Sequence, residues 1–97
     1  MTAHSKLRLL PWSGPNGKPC YLSTDANSSH LSRLADTMEA TQLDLAHTLV
    51  THTLEVIDDE ETDLEELRSL SADLVEALQD AIRVAKSRGY RLATSND

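Results

Sequence analysis

The chain predicts a mainly α protein: a long antiparallel helical hairpin carrying a short N-terminal β-hairpin arm, and pairing with a second copy into a four-helix bundle. Three observations lead there. Two segments of similar length, within Ser29 to Gly89, repeat apolar residues at helical spacing and flank the acidic run Asp58-Asp59-Glu60-Glu61. Leucine is abundant while aromatics make up only 3% and Phe is absent, a composition that suits helix packing better than a sandwich or barrel. With 97 residues there is one domain, 1–97, and a chain so short leaves much of its surface exposed unless it pairs.

The arm comes first, over 6–24. Leu7 and Leu9 alternate with Lys6 and Arg8 as on a half-buried strand, which Pro11 limits. Ser13-Gly14-Pro15-Asn16-Gly17-Lys18-Pro19 holds two of the three prolines and two of the three glycines, and Asn-Gly tolerates the positive φ of a tight hairpin turn. Cys20-Tyr21-Leu22-Ser23 is then the returning strand. Because an isolated two-stranded hairpin is marginal in water, Leu9, Trp12, Tyr21 and Leu22 are expected to lean on the helices. Trp12, Pro19, Cys20 and Tyr21 are the candidate recognition surface; a plain lid over the helical core is the competing reading.

The polar cluster Asp25-Ala26-Asn27-Ser28-Ser29 offers N-caps for helix 1, expected over 29–57. On a helical projection Leu31, Leu34, Met38, Leu45, Leu49 and Val56 form one stripe, and Leu43, Ala46, Val50, Leu54 and Ile57 form another beside it. The combined arc is wider than a surface helix needs, so the helix must meet more than one neighbour. Leu45, Leu49, Val50 and Val56 are the candidate dimer interface. After an acidic turn over 58–62, Thr62-Asp63-Leu64-Glu65 has the form of a capping box opening helix 2, expected over 63–88. Leu64, Leu67, Leu70, Leu74, Val75, Leu78, Ala81, Ile82 and Ala85 make its apolar face, and Ala72, Ala77, Ala81 and Ala85 permit close approach of another helix. Gly89 is placed to end the helix as a left-handed cap, with Tyr90 folding back, and 93–97 is expected to fray.

The formal net charge of −7 is unevenly spread. Residues 1–24 hold Lys6, Arg8 and Lys18 and no acid; 25–80 hold fifteen acids against Arg33 and Arg68; Arg83, Lys86, Arg88 and Arg91 follow. An acidic middle argues against direct nucleic-acid binding, which rests on cations neutralising phosphates. It suits a basic protein partner, or solubility alone.

Catalytic and metal motifs fare poorly. The acidic run lacks the glycine and the alternating ligand register of a calcium loop. His47 and His52 stand five apart, the wrong spacing for a shared ion; His52 and Glu55 share a face but two ligands do not make a site, and His4 and His30 add no pattern. Gly14 and Gly17 lie between strands with no helix directly after them, so no phosphate loop forms. Cys20 is alone, which rules out an intrachain disulfide and fits a reducing interior. Without an apolar run of signal-peptide or membrane-spanning length, a cytoplasmic, non-enzymatic protein without cofactor or metal is expected.

Leu9-Leu-Pro-Trp-Ser-Gly-Pro-Asn-Gly-Lys-Pro-Cys-Tyr-Leu22, with Arg33-Leu-Ala-Asp36, Glu39, Gln42-Leu43 and Ser87-Arg-Gly89, resembles a family of small uncharacterised actinobacterial proteins. Its members look like companions of helix-turn-helix regulators. The resemblance implies an accessory role in transcriptional regulation through a regulatory protein partner, and carries over no functional residue. Two other readings stay open: an acidic antagonist of a basic DNA-binding protein, antitoxin-like or DNA-mimicking, and a small-ligand binder near Cys20.

Overall fold

The computed structural model describes residues 7–23 and 29–95. Strand β1 (Leu7–Ser13) and strand β2 (Pro19–Ser23) pair antiparallel, and helix α1 (Ser29–Asp58) turns back into helix α2 (Leu64–Ser95). The helices pack as a hairpin with the small sheet against one end. The caps expected at 25–28, together with His4 and Lys6, lie outside the described residues.

The arm turns where Asn-Gly predicts. Asn16 (φ 62°) and Gly17 (φ 72°) both have positive φ, and the Lys18 N–H donates to the Pro15 carbonyl at 3.3 Å, the pattern of a type I′ turn that matches the twist of paired strands. The ladder pairs Leu7 with Ser23, Arg8 with Leu22 and Leu9 with Tyr21, then slips before pairing Ser13 with Pro19. Pro11 therefore does not end β1. Lacking an N–H for the ladder, it sits in the irregular stretch, with its ring fully buried.

Strand parity is the reverse of the expected one. Arg8 and Leu10 are buried, Leu9 is half-buried, and Leu7 is exposed. A strand normally turns its aliphatic side chains inward; here the inward place of Arg8 is set by carboxylates on α1, described below.

The helices meet along a narrow seam. The most covered residues of α1 include Ala35, Glu39, Gln42, Ala46, Leu49, Thr53 and Val56, and those of α2 include Leu70, Leu74, Ala77, Ala81 and Val84. Both series step by four and three residues, the 3.5-residue spacing of a coiled-coil seam. Small residues let the backbones approach, and Ala35 is 0% exposed.

Two local expectations change, and the acidic turn keeps its expected place. Asp63, not Thr62, caps α2: its Oδ1 accepts from the Glu66 N–H at 2.8 Å, while the Thr62 hydroxyl donates to the Val56 carbonyl at 3.2 Å and closes α1 instead. The sequence Asp63-x-x-Glu66 is itself a capping pattern one residue along. The acidic turn is folded by its own side chains, with Asp59 Oδ1 accepting from the Glu61 N–H at 2.9 Å, an Asx turn. Finally, α2 runs through Gly89 to Ser95, so there is no cap at Gly89 and 93–95 is helical. Each further residue of an existing helix adds a backbone hydrogen bond, which outweighs the roughly 1 kcal/mol that a mid-helix Gly costs relative to Ala.

Replacing Asp63 with Ala is expected to lower stability by about 1 kcal/mol in urea unfolding at fixed protein concentration. Glu65→Ala should change it by less than about 0.5 kcal/mol; equal losses would restore Thr62 as the cap.

Candidate protein-interaction surfaces

The arm is fastened to the helices through polar bonds that meet around one buried carboxylate. Arg8, 3% exposed in its side chain, donates from Nη1 to the Ser32 carbonyl (2.9 Å) and Oγ (2.7 Å), and from Nη2 to Asp36 Oδ1 (2.6 Å). Glu39, 1% exposed, stands 3.4 Å from Arg8 Nη2 and 3.5 Å from Arg88 Nε. It thereby joins β1, α1 and α2. One turn further along α1, Gln42 Nε2 donates to the Pro11 carbonyl at 2.7 Å, an acceptor shared with Arg83 Nη1 at 3.2 Å. Arg83 also reaches Ser13 Oγ at 3.3 Å, and the buried Ser87 hydroxyl donates to the Leu9 carbonyl at 3.0 Å. Gln42 and Arg83 thus hold one carbonyl of the irregular stretch of β1 from both helices.

The arm's candidate recognition residues divide between two sides. Pro19 and Tyr21 point outward, while Trp12 and Cys20 are half-buried, and a Cβ on Gly14 would lie 3.2 Å from Cys20 Sγ. Tyr21, expected to pack inward, instead borders a depression of about 420 Å³ with Leu7, Leu9, Lys86 and Tyr90. Cys20 does not line it.

The candidate dimer residues divide as well. Val56 is only 7% exposed and belongs to the seam, which takes it out of any open surface. Leu45, exposed, and Leu49, half-buried, line a groove of about 410 Å³ on one side of the seam, whose other wall carries Asp73, Glu76 and Asp80. Val50 lies on the opposite side. In an antiparallel pair of right-handed helices, positions turned the same way from each seam face the same side; Val50, Leu54 and Ile57 of α1 therefore share a face with Leu64, Val75, Leu78 and Ile82 of α2, bordered by Leu67 at the loop end of the seam line. All eight are 39 to 66% exposed. Half-buried Leu43 and Leu74 continue the face inward to the seam.

This face was only half visible in the sequence. The two stripes of α1 were apparent; which of them the hairpin consumes was not. The signal lay in the small and polar residues at 35, 39, 42, 46 and 53, which mark the seam and leave the bulky residues outside it.

Among the described residues, no helix is long and apolar enough to cross a membrane, and no three His, Cys, Asp or Glu side chains are grouped to hold a metal ion. Compared with family models, curated proteins and solved structures, the chain gives no match.

Arg8→Ala removes one partner of a buried charge pair, a change that costs about 3–5 kcal/mol where the other charge stays buried. The arm should detach: Trp12 emission shifts to the red while far-ultraviolet circular dichroism keeps its helical signal. Arg8→Lys should behave similarly, because an ammonium cannot reproduce the planar fork. Unchanged Trp12 emission in both variants would show that the arm is held by apolar packing alone.

Proposed function

We propose that the chain is a non-enzymatic protein-interaction module of the cytoplasm that works as a homodimer, its two hairpins meeting through the apolar face to form a four-helix bundle. The observation that carries this reading is the face itself. Its eight residues leave roughly 750 Å² of exposed side-chain and backbone surface per copy, close to what one partner contributes to a standard stable interface. The surface of the whole chain supports it. The accessible area is 7217 Å², whereas a compact monomer of this mass exposes about 5,500 Å². Likewise, the radius of gyration is 17.2 Å, against about 12.5 Å for a compact chain of this length. The regulatory setting, as an accessory to transcription factors, rests on the resemblance of the arm and helix residues.

The acidic groove favours a second reading, in which the module engages a basic partner and competes for its DNA-binding surface. Leu45, Leu49 and Ala77 offer apolar contact, while Asp73, Glu76 and Asp80, at helical spacing, supply the negative wall. Arg83 occupies Asp80 at 3.3 Å, so Asp73 and Glu76 carry this reading.

Light scattering on the intact chain should give twice 10.7 kDa at micromolar concentration. Val50→Glu combined with Leu78→Glu should weaken association at least 100-fold, since a central interface residue contributes about 2 kcal/mol or more. A monomeric wild type overturns the dimer. For the second reading, calorimetric titration with a synthetic helical peptide bearing leucines and arginines should give binding that falls at least tenfold in Asp73→Lys/Glu76→Lys; equal affinities eliminate it.

A further inference from the structure

We propose that the two hairpins pack antiparallel, about a two-fold axis crossing the helices near Val50 and Val75, so that the acidic loop of each copy lies against the basic arm end of the other. This rests on the self-association reading above and adds to it the geometry of the partner and a role for residues 58–66.

The axial position of the face sets the register. At 1.5 Å per residue, its residues run from beside the loop (Ile57, Leu64) to roughly 27 Å away (Ile82), with a midpoint at about 13 Å, level with Val50. A perpendicular two-fold through that midpoint lays the α2 part of the face upon itself and sets Leu54 and Ile57 of α1 opposite the partner's helix at the level of Leu43. The loop end of one copy then falls at or just beyond the level of Ile82 in the other. Two-fold symmetry along the helix axes would also superpose the face on itself, so apolar area does not choose between the two.

Charge does. The stretch 58–66 holds seven carboxylates, with Arg68 the nearest cation in sequence. Parallel packing sets these beside the same seven of the second copy, a like-charge juxtaposition that disfavours the assembly. Antiparallel packing sets them near Arg33 and Arg88. Arg33 stands three heptads before Leu54 and so extends a line of the face toward the arm end, while Arg88, one heptad after Ala81 on the seam line, reaches out from beside Glu39. They also lie at one level, roughly 36–38 Å from the loop, within side-chain reach of a loop that projects past the helix ends. Arg33 is exposed and the Arg88 side chain is 50% exposed despite its contact with Glu39. The acid nearest on α1, Asp36, is held by Arg8.

Spin labels on cysteines decide the orientation. In a Cys20→Ser background, Glu61→Cys and Thr37→Cys, both at exposed positions, are labelled separately and in mixed dimers, and distances are read by dipolar spectroscopy. The antiparallel arrangement gives same-site distances of roughly 35–40 Å and a Thr37-to-Glu61 distance below about 20 Å. The dimer should also weaken three- to tenfold between 50 and 500 mM salt, as attraction between exposed charges is screened. Arg33→Glu should weaken it comparably, and Glu60→Arg/Glu61→Arg in the same chain should restore it. Same-site distances below about 20 Å, or a dimer tightened by salt, overturn the antiparallel geometry while leaving self-association intact. A monomer overturns both.

Discussion

The constraint on which the rest of the structure depends is the burial of Glu39 between Arg8 and Arg88. A carboxylate so thoroughly removed from water is tolerated only when countercharges and hydrogen bonds replace its hydration. One of those countercharges comes from the arm and the other from the far helix, so docking of all three elements brings both charges to the carboxylate. Arg8 is bound in turn: it enters the interior only because Ser32 and Asp36 take up its guanidinium. Direction-dependent bonds thereby fix the arm's register, alongside the burial of Leu10 and Pro11.

That arrangement shapes the seam. Around the clamp the facing positions are Ala35, Glu39, Gln42 and Ala46 on α1 and Ala77, Ala81, Val84 and Ser87 on α2, small or polar residues that bring the backbones close and reserve space for the arm's donors and acceptors. Little bulky hydrocarbon is consumed there. The leucines, valines and isoleucines are displaced to the flanks, and on one side of the distal half they run together into a continuous exposed face. A chain that spends its inner positions on polar fastening must find its hydrophobic stabilisation elsewhere, and in the dimer proposed above a second copy would supply it through residues the first hairpin leaves open.

What could be read beforehand follows the range of the interactions. The two helices, the Asn-Gly turn and the hairpin connection depend on neighbours within a few residues, and periodicity and turn chemistry revealed them. The parity of β1 did not, because the partner that turns Arg8 inward, Asp36, is 28 residues away, and alternation alone assigns the leucines to the core. Capping at Asp63 rather than Thr62 was a choice between two adjacent capping patterns, decided by the Val56 carbonyl accepting the Thr62 hydroxyl. Gly89 carries a strong stop signal locally, yet the helix passes through it. For the candidate surfaces, the excess apolar width of α1 was plain, but its division into seam, groove and open face depends on where α2 lies. The four candidate interface residues therefore divide: Val56 lies in the seam, Leu45 and Leu49 line the groove, and only Val50 belongs to the open face.

The charges left outside the clamp separate along the long axis of the molecule. Acids gather at the loop, where they satisfy the first turn of α2 and favour the positive end of its dipole, and cations gather at the arm end, where they fasten β1. Each cluster has a reason within one copy, yet together they give the elongated hairpin opposite poles. An open apolar face sets how tightly two such molecules can meet but not which way round, because it is indifferent to reversal. Poles of opposite sign are not indifferent, and they act at long range during approach, before the apolar side chains touch. In the dimer proposed above the acidic loop would therefore serve orientation rather than affinity, and Glu39 holds one of the answering cations, Arg88, in place.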